Sequence, residues 1–188
     1  MAFIDLVSDD ADKPAEVEAV FAAAREGYGF VPNVLRALAH CPDLLTTFAP
    51  FWAQVYRSPT IGGRLRALSA LGTAQAQSCT YCVAHMSASA RRVGMSEQEV
   101  SAVGDPHVEQ RVFHDERETL VLEVAAALTR DPDGVTDDLR ARLRRHLTDA
   151  EIVNVVVAIG LYNLTSRFLK ALDVEVEDVF TATPTTGR

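Results

Sequence analysis

Two cysteines three residues apart, Cys79 and Cys82, are the side chains of this sequence best suited to covalent chemistry. On one α-helix, residues at positions i and i+3 are neighbours, so these thiols could close a disulfide with little movement of the backbone. In a dithiol cycle, one sulfur attacks a peroxide or a disulfide, and the other resolves the resulting sulfenate or mixed disulfide. The pair therefore predicts an enzyme or a redox carrier, although a buried helix start without chemistry fits the bare spacing too.

The residues around the pair predict how the thiols would be activated. Ser78 can cap the helix that follows, which places a thiol in its first turn, beside unpaired backbone N–H groups and the positive end of the helix dipole. Such a setting favours thiolate and can lower a cysteine pKa from about 8.5 to between roughly 3.5 and 7.5. His85 follows Cys82 at i+3 and could exchange protons with it. We therefore expect Cys79, Cys82 and His85 to form one site beside a concave, partly apolar pocket near the surface.

A zinc site is the other chemistry that this cluster could serve. Only three candidate ligands gather here, and no second C-x-x-C or H-x-x-x-H pair completes a tetrahedral set, so neither a metal nor another cofactor is expected. Cys41 is the third cysteine of the chain and lies between two predicted helices. We expect it to be packed at that helix junction.

Composition narrows the class of protein. The 188 residues are 48% apolar and 23% charged, with a formal net charge of −8, so there is no basic field to attract nucleic acid. The N-terminal residues become acidic at once, unlike a signal peptide, and no uninterrupted apolar run reaches about 18 residues, so no membrane span is expected. Three cysteines without an export signal favour the reducing cytoplasm.

The elements that must position the site are predicted to be helices, because no stretch shows the period-two alternation of a strand, and the fold class is therefore all-α. The predicted helices lie at about residues 16–25, 34–40, 42–56, 64–76, 79–93, 97–103, 115–129, from 136, and 151–172. Gly27, Gly94 and the Gly104-Asp105-Pro106 segment are read as helix ends, and Ser96 to Glu99 and Thr148 to Glu151 as capping boxes. We expect an extended arm at 1–14, a single domain at 15–180 and a flexible tail at 181–188.

Apolar residues on the helical surfaces suggest self-association. The helix at 151–172 is apolar on nearly all sides, which fits either a central core helix or a subunit interface. Phe48, Phe51 and Trp52 are expected to be exposed on another helix, and aromatic residues concentrate at association surfaces. We expect a homo-oligomer that uses these faces.

The sequence resembles the carboxymuconolactone decarboxylase superfamily, and more closely its alkylhydroperoxidase D-like branch of small all-helical proteins. The resemblance covers most of the chain and is carried by residues 31–38, 79–85, 91–96 and 161–168. It implies a helical bundle that assembles into dimers, trimers or hexamers. It also implies that Cys82 is the peroxide-reactive thiol and Cys79 its partner, assisted by a glutamate and a histidine that relay protons.

Two positions depart from the pattern of that branch. The relay glutamate is expected twelve residues before the first cysteine, where this chain has Ala67, and the relay histidine four residues after the second, where it has Met86. His85 lies one residue earlier and is rotated by about 100° from Met86 around the helix. His85 is therefore a candidate substitute base.

The resemblance implies a thiol-dependent peroxidase that reduces small hydroperoxides, with an external thiol or dithiol as electron donor. The altered relay positions leave a second reading open, in which the protein is a catalytically weakened redox sensor or ligand-binding protein. A lactone decarboxylase-like enzyme is a poorer match, because the members with that activity lack the redox cysteines and this chain retains both.

Overall fold

The computed structural model describes residues 2–181, and these form helices without any strand, which confirms the all-α prediction. Within that range the helices are α1 (Ala15–Tyr28), α2 (Asn33–Leu38), α3 (Pro42–Arg57), α4 (Gly63–Ala76), α5 (Thr80–Arg92), α6 (Glu97–Ala102), α7 (Pro106–Val112), α8 (Glu116–Arg130), α9 (Asp137–His146), α10 (Asp149–Ala171) and α11 (Asp178–Thr181).

The helices group into two compact units, and the first contains the residues up to 54 and from 168 onward. Within it, Val17 and Phe21 of α1 are fully buried. Residues 2–14 form no helix. Arg36 of α2 holds this segment by donating to the carbonyl of Val7 at 3.1 Å. The same guanidinium lies 5.7 Å from the centre of the Phe21 ring. The predicted tail at 181–188 lies outside the described residues except for Thr181, which ends α11.

The second unit, residues 55–167, is built around α4. Nine residues of α4 are buried, eight of them consecutive, so the middle of this helix is enclosed on all sides. A Cβ on Gly72 would lie 3.2 Å from the Cβ of Ala125, so the glycine lets α4 approach α8 closely. The large side chains that are fully buried here include Leu68 and Leu71 of α4, Leu120 of α8 and Ile159 of α10. The site lies on this rigid framework.

Local capping signals predicted several helix ends correctly. Ser96 and Glu99 form the reciprocal bonds of a capping box at α6. At α10 the Glu151 carboxylate accepts from the backbone N–H of Thr148 at 2.8 Å, and the Thr148 hydroxyl accepts from the backbone N–H of Glu151 at 3.3 Å. Gly94 takes a φ of +88° immediately after α5, as expected of a helix stop.

The predicted helices were wrong or incomplete in two respects. The first helix continues past Gly27 and ends at Tyr28, because Gly29, with a φ of +83°, is the residue in the left-handed conformation. Two short helices, α7 and α11, were missed. The Gly104-Asp105-Pro106 segment follows the end of α6 at Ala102, as expected, but it also begins α7, since the Asp105 carboxylate accepts from the N–H of His107 at 3.0 Å and Pro106 occupies the first turn.

The apolar helix α10 is not a fully enclosed core helix. Within the second unit, Val155 and Ile159 are buried on one face, while Val153 is 61% exposed and Leu164 is 55% exposed on the other. By length and composition α10 could also cross a membrane, with a mean hydropathy of 1.5 over 18 residues, of which 44% are buried in the fold. Core helices of soluble proteins meet the same test, so the expectation of no membrane span stays a prediction.

Two surface expectations can be compared directly with the structure. Cys41 is exposed, not packed as we expected, because the turn between α2 and α3 directs it to the surface. Phe51 is exposed as expected, whereas Phe48 and Trp52 are half-buried, with ring centroids 6.3 Å apart.

Candidate redox site at the start of α5

The two cysteines lie at a junction where α4 ends and α5 begins without a connecting loop. The N–H of Cys79 donates to the carbonyl of Ala74 at 3.0 Å, and the N–H of Ser78 donates to the carbonyl of Gln75 at 2.9 Å. These two bonds are the Schellman pattern, and Ser78 occupies its left-handed position with a φ of +51°. Ser78 therefore closes α4, and the predicted N-cap role of Ser78 was wrong.

Cys79 itself is the N-cap of α5. It has an extended backbone, and its sulfur accepts a hydrogen bond from the backbone N–H of Cys82 at 3.4 Å. The neighbouring Cys79 side chain also raises the pKa of the Cys82 thiol. Both cysteines are reduced and are only 2% exposed. The helix start thus brings the two sulfurs together, as the spacing predicted.

Ser166 of α10 is a third member of the site that we did not predict. Its hydroxyl donates to the Cys82 sulfur at 3.3 Å, and the side chain is fully buried. Ser166 lies 84 residues from Cys82 in sequence, so no local pattern links them. Two signals could have pointed to it: Thr165 and Ser166 are small polar residues in a largely apolar helix, and both lie within residues 161–168, one of the stretches that carry the family resemblance.

The electrostatics of Cys82 differ from those expected for a thiol in the first turn of a helix. The hydrogen bond with Cys79, burial, and the charge on Cys79 raise the pKa of Cys82, and the hydroxyl of Ser166 lowers it. The predicted lowering by the helix end therefore does not hold for Cys82, because two adjacent buried sulfurs cannot both carry charge.

His85 lies one turn after Cys82 on α5, half-buried, and its imidazole stacks on the ring of Tyr81 with centroids 4.5 Å apart and planes 15° from parallel. The contacts described for the Cys82 sulfur are those with Cys79 and Ser166. Ala67 and Met86, at the two relay positions, belong to the apolar core. The role of His85 as a base stays a prediction.

A polar network in the second unit fixes the end of α4 against α10. Gln77, the last residue before Ser78, donates its amide to the side-chain oxygen of Asn163 at 2.7 Å. Asn163 in turn donates to the hydroxyl of Thr129 at 3.1 Å and accepts from Arg167 at 2.5 Å. Since α10 also carries Ser166, this network holds Ser166 and the cysteine turn in register.

The clefts described for the second unit lie elsewhere, and the largest of them, of about 720 Å³, is lined by the end of α9, the turn after it and the start of α10. One of about 470 Å³ is bordered by Glu109, Phe113, Arg130 and Arg142, and one of about 340 Å³ is lined mainly by apolar side chains of α8, α9 and α10. The pocket that we expected beside the cysteines stays a prediction. Between residues 2 and 181, no three His, Cys, Asp or Glu side chains gather in a group that could hold a metal.

Comparison with known proteins gives one family and several similar chains. Residues 42–106 match the model of the carboxymuconolactone decarboxylase family. An uncharacterized protein of Escherichia coli K12, YnjA, is 33% identical over 156 residues, which cover 81% of this chain and 84% of that protein.

Two solved structures share the fold. A peroxidase-related protein from Silicibacter sp. TM1040 superposes with a TM-score of 0.85 at 23% identity, covering 97% of this chain and 95% of that one. The debrominase Bmp8 superposes with a TM-score of 0.77 at 22% identity and 89% coverage of both chains, and a variant of it has been solved with 2,3,4-tribromopyrrole.

Proposed function

Because the chain belongs to the carboxymuconolactone decarboxylase family, we propose that it is a thiol-dependent oxidoreductase that reduces hydroperoxides through Cys79 and Cys82. The observation that carries the proposal is the cap at the start of α5, where the Cys79 sulfur accepts a hydrogen bond from the backbone N–H of Cys82 at 3.4 Å. A peroxidase-related protein of the same fold is consistent with it.

The cycle needs no cofactor. A cysteine thiolate attacks one oxygen of the hydroperoxide, so that an S–O bond forms, the O–O bond breaks, and an alcohol leaves after taking a proton. The second thiol attacks the sulfenate, which forms the disulfide and releases water. An external dithiol then reduces the disulfide by two electrons and completes the cycle. In this scheme the two electrons pass from the donor through sulfur to the peroxide.

His85 is the candidate base for these proton transfers. It lies on the same helix as Cys82, one turn later, and stacking on Tyr81 fixes the plane of its ring. No carboxylate can act from position 67, which is a buried alanine. We expect His85→Ala to abolish most of the turnover while leaving the fold intact, and unchanged activity in that variant would remove His85 from the mechanism.

Peroxide consumption with dithiothreitol as donor tests the function. The wild-type protein should consume hydrogen peroxide or an organic hydroperoxide over many turnovers, and Cys79→Ser and Cys82→Ser should each stop turnover. Cys41→Ser is the matched control, because Cys41 is exposed and lies in the other unit, and it should behave as the wild type. Turnover at the wild-type rate in either the Cys79→Ser or the Cys82→Ser variant would refute the proposal.

A redox sensor is the second candidate, and the apolar residues at both relay positions favour it. Ala67 and Met86 supply no proton donor, so a slow single oxidation of the pair would suffice for a sensor. A redox sensor would consume one equivalent of peroxide, form a stable Cys79–Cys82 disulfide and show no further turnover. Because the fold also includes a debrominase, release of bromide from 2,3,4-tribromopyrrole is the third activity to measure.

A further inference from the structure

Ser166 differs from the other buried serine and threonine side chains of α4 and α10 in the partner that its hydroxyl takes. Ser69, Thr73 and Thr165 each donate to the carbonyl four residues earlier on their own helix, at 2.8, 2.7 and 2.8 Å. Any serine inside a helix can make that bond. Ser166 instead donates to the Cys82 sulfur of α5 at 3.3 Å. The way α10 meets α5 has therefore turned this hydroxyl toward a thiol.

The Cys82 sulfur is buried, and a buried anion depends on hydrogen-bond donors of the protein. Cys82 is 2% exposed and Ser166 is fully buried, so bulk water contributes little to the solvation of this sulfur. A thiolate has no proton, so of these two side chains only the serine hydroxyl can donate once Cys82 is ionised. A hydrogen bond to an ionised acceptor is stronger than one to a neutral acceptor. The contact therefore stabilises the charged form of Cys82 more than the neutral form.

The position of Ser166 is fixed by a polar contact one turn earlier on α10. Asn163 accepts from the Gln77 amide at 2.7 Å and donates to the Thr129 hydroxyl at 3.1 Å. Gln77 lies two residues before Cys79, so this contact ties α10 to the segment that leads into the cysteine pair. The hydroxyl is thus in place before Cys82 ionises, and it needs no rearrangement to act as a donor.

Other titratable groups near Cys82 must be separated from the effect of Ser166. Cys79 acts directly on Cys82 and raises the pKa of that thiol, so the test below removes it. The last two turns of α4 carry no titratable side chain. Several such residues lie within one turn of Cys82 on α5 or of Ser166 on α10, and they stay unchanged in every variant: Tyr81, His85, Tyr162, Arg167 and Lys170.

Within the dithiol chemistry of the proposed function, on which this step rests, we propose that Ser166 is the hydrogen-bond donor that stabilises Cys82 as a thiolate for its attack on the hydroperoxide. Cys82 is the peroxide-reactive thiol that the family resemblance implies. Its sulfur forms the S–O bond as the O–O bond breaks, and the proton that left the thiol ends on the departing alkoxide, which becomes the alcohol. Cys79 then attacks the Cys82 sulfur, so that the disulfide forms and water leaves. Ser166 keeps its own proton throughout.

A titration of Cys82 as the single thiol of the chain tests this role without any peroxide. The background is Cys41→Ser with Cys79→Ser, which leaves Cys82 alone. Serine is itself a preferred N-cap residue, so the start of α5 is retained. With cysteine isotopically labelled at Cβ, one NMR resonance then reports the ionisation of Cys82 as the pH is raised.

Ser166→Ala in this background should raise the pKa of Cys82 by about one pH unit, a tenfold change in the ionisation constant, because a hydrogen bond to the charged sulfur is lost. Thr165→Val is the matched control: this neighbouring hydroxyl is also buried but donates to the carbonyl of Leu161, so the pKa of Cys82 should not change. An unchanged pKa in Ser166→Ala, or equal changes in the two variants, would overturn the proposal. So would a Cys82 that keeps its proton over the whole pH range in which the chain with Ser166 stays folded.

Peroxide consumption separates the role of Ser166 from the proposed function. In the otherwise wild-type chain, Ser166→Ala should consume hydrogen peroxide about tenfold more slowly at a pH below the pKa of Cys82 and approach the wild-type rate above it. If neither protein consumes peroxide but the pKa of Cys82 rises in Ser166→Ala, the peroxidase function fails and the role of Ser166 stands. If both consume peroxide equally at every pH, the function stands and the role of Ser166 fails.

Discussion

Replacing Arg64 with methionine tests whether one ion-pair cluster stabilises the α4–α6–α8 framework around the site. Arg64 donates to the carboxylate of Glu118 at 2.7 and 3.2 Å and to that of Glu99 at 2.5 Å. Glu118 is only 8% exposed, so removing Arg64 leaves a nearly buried carboxylate without its cation, whereas methionine retains the apolar stem.

The expected loss in unfolding free energy is about 2 kcal/mol. Removing one partner of a fully buried pair costs about 3–5 kcal/mol, and an exposed pair is worth about 1 kcal/mol or less. The Arg64 side chain is 36% exposed, so we expect this cluster to fall between a fully buried ion pair and an exposed one. The loss in unfolding free energy should not exceed about 3.5 kcal/mol. That is roughly the cost of protonating a glutamate of ordinary pKa at pH 7, and a neutral carboxyl no longer needs a cation beside it.

Urea denaturation followed by circular dichroism measures the loss. Arg91→Met is the matched control: Arg91 also donates two bonds to one carboxylate, that of Glu97, but on an exposed surface, and its removal should change stability little. Equal losses in the two variants would refute the argument from burial.

Acid provides a second check on the same cluster. The hydrogen bond from Arg64, followed by that from the backbone of Ser96, lowers the pKa of Glu99 to about 2 from its ordinary 4.5. A carboxylate with a depressed pKa contributes stability that is present above the ordinary value and is lost as pH falls through the folded one. The difference in unfolding free energy between the wild type and Arg64→Met should therefore become smaller as the pH is lowered from 4.5 to about 2. A difference that becomes larger over this range would contradict the assignment.

Three further predictions concern the helix ends and assembly. Ser78→Gly should raise the unfolding free energy, measured by urea denaturation, by about 0.5–1 kcal/mol, because glycine adopts the left-handed φ of +51° without the strain that serine has there. Thr148→Ala should lower it by about 1 kcal/mol, because the hydroxyl that accepts from the Glu151 N–H is removed. Light scattering should return a multiple of 20.5 kDa, and Val157→Asp on the exposed face of α10 should reduce the mass toward one chain. A wild-type mass of 20.5 kDa would rule out the predicted oligomer.

Features that depend only on neighbouring residues along the chain could be predicted from the sequence. The capping pairs at Ser96 and Thr148 and the stop at Gly94 are local, and each lies where it was expected. Ser78 was misassigned because a serine before a helix usually caps it, and only the angle between α4 and α5 makes Ser78 the end of the preceding helix.

The candidate site shows the same division. The closeness of Cys79 and Cys82 follows from a spacing of three on one helix and was predicted. The Ser166 contact and the raised pKa of Cys82 depend on packing α10 against α5 within the second unit, and no local sequence pattern encodes a contact between residues 84 positions apart. Cys41 was predicted to be packed because it adjoins two helices, but its side chain faces outward in the turn.

The junction before α5 contains no spare residue. Cys79 belongs to two helices at once, as the residue that closes the turn after α4 and as the cap that opens α5. One inserted residue would separate these roles and turn α5 by about 100° about its axis, so that Cys82 would no longer face Ser166. Relatives that keep this site should therefore differ here by substitution and never by insertion or deletion, and a tag or linker placed between residues 77 and 80 should destroy the site even in a chain that still folds.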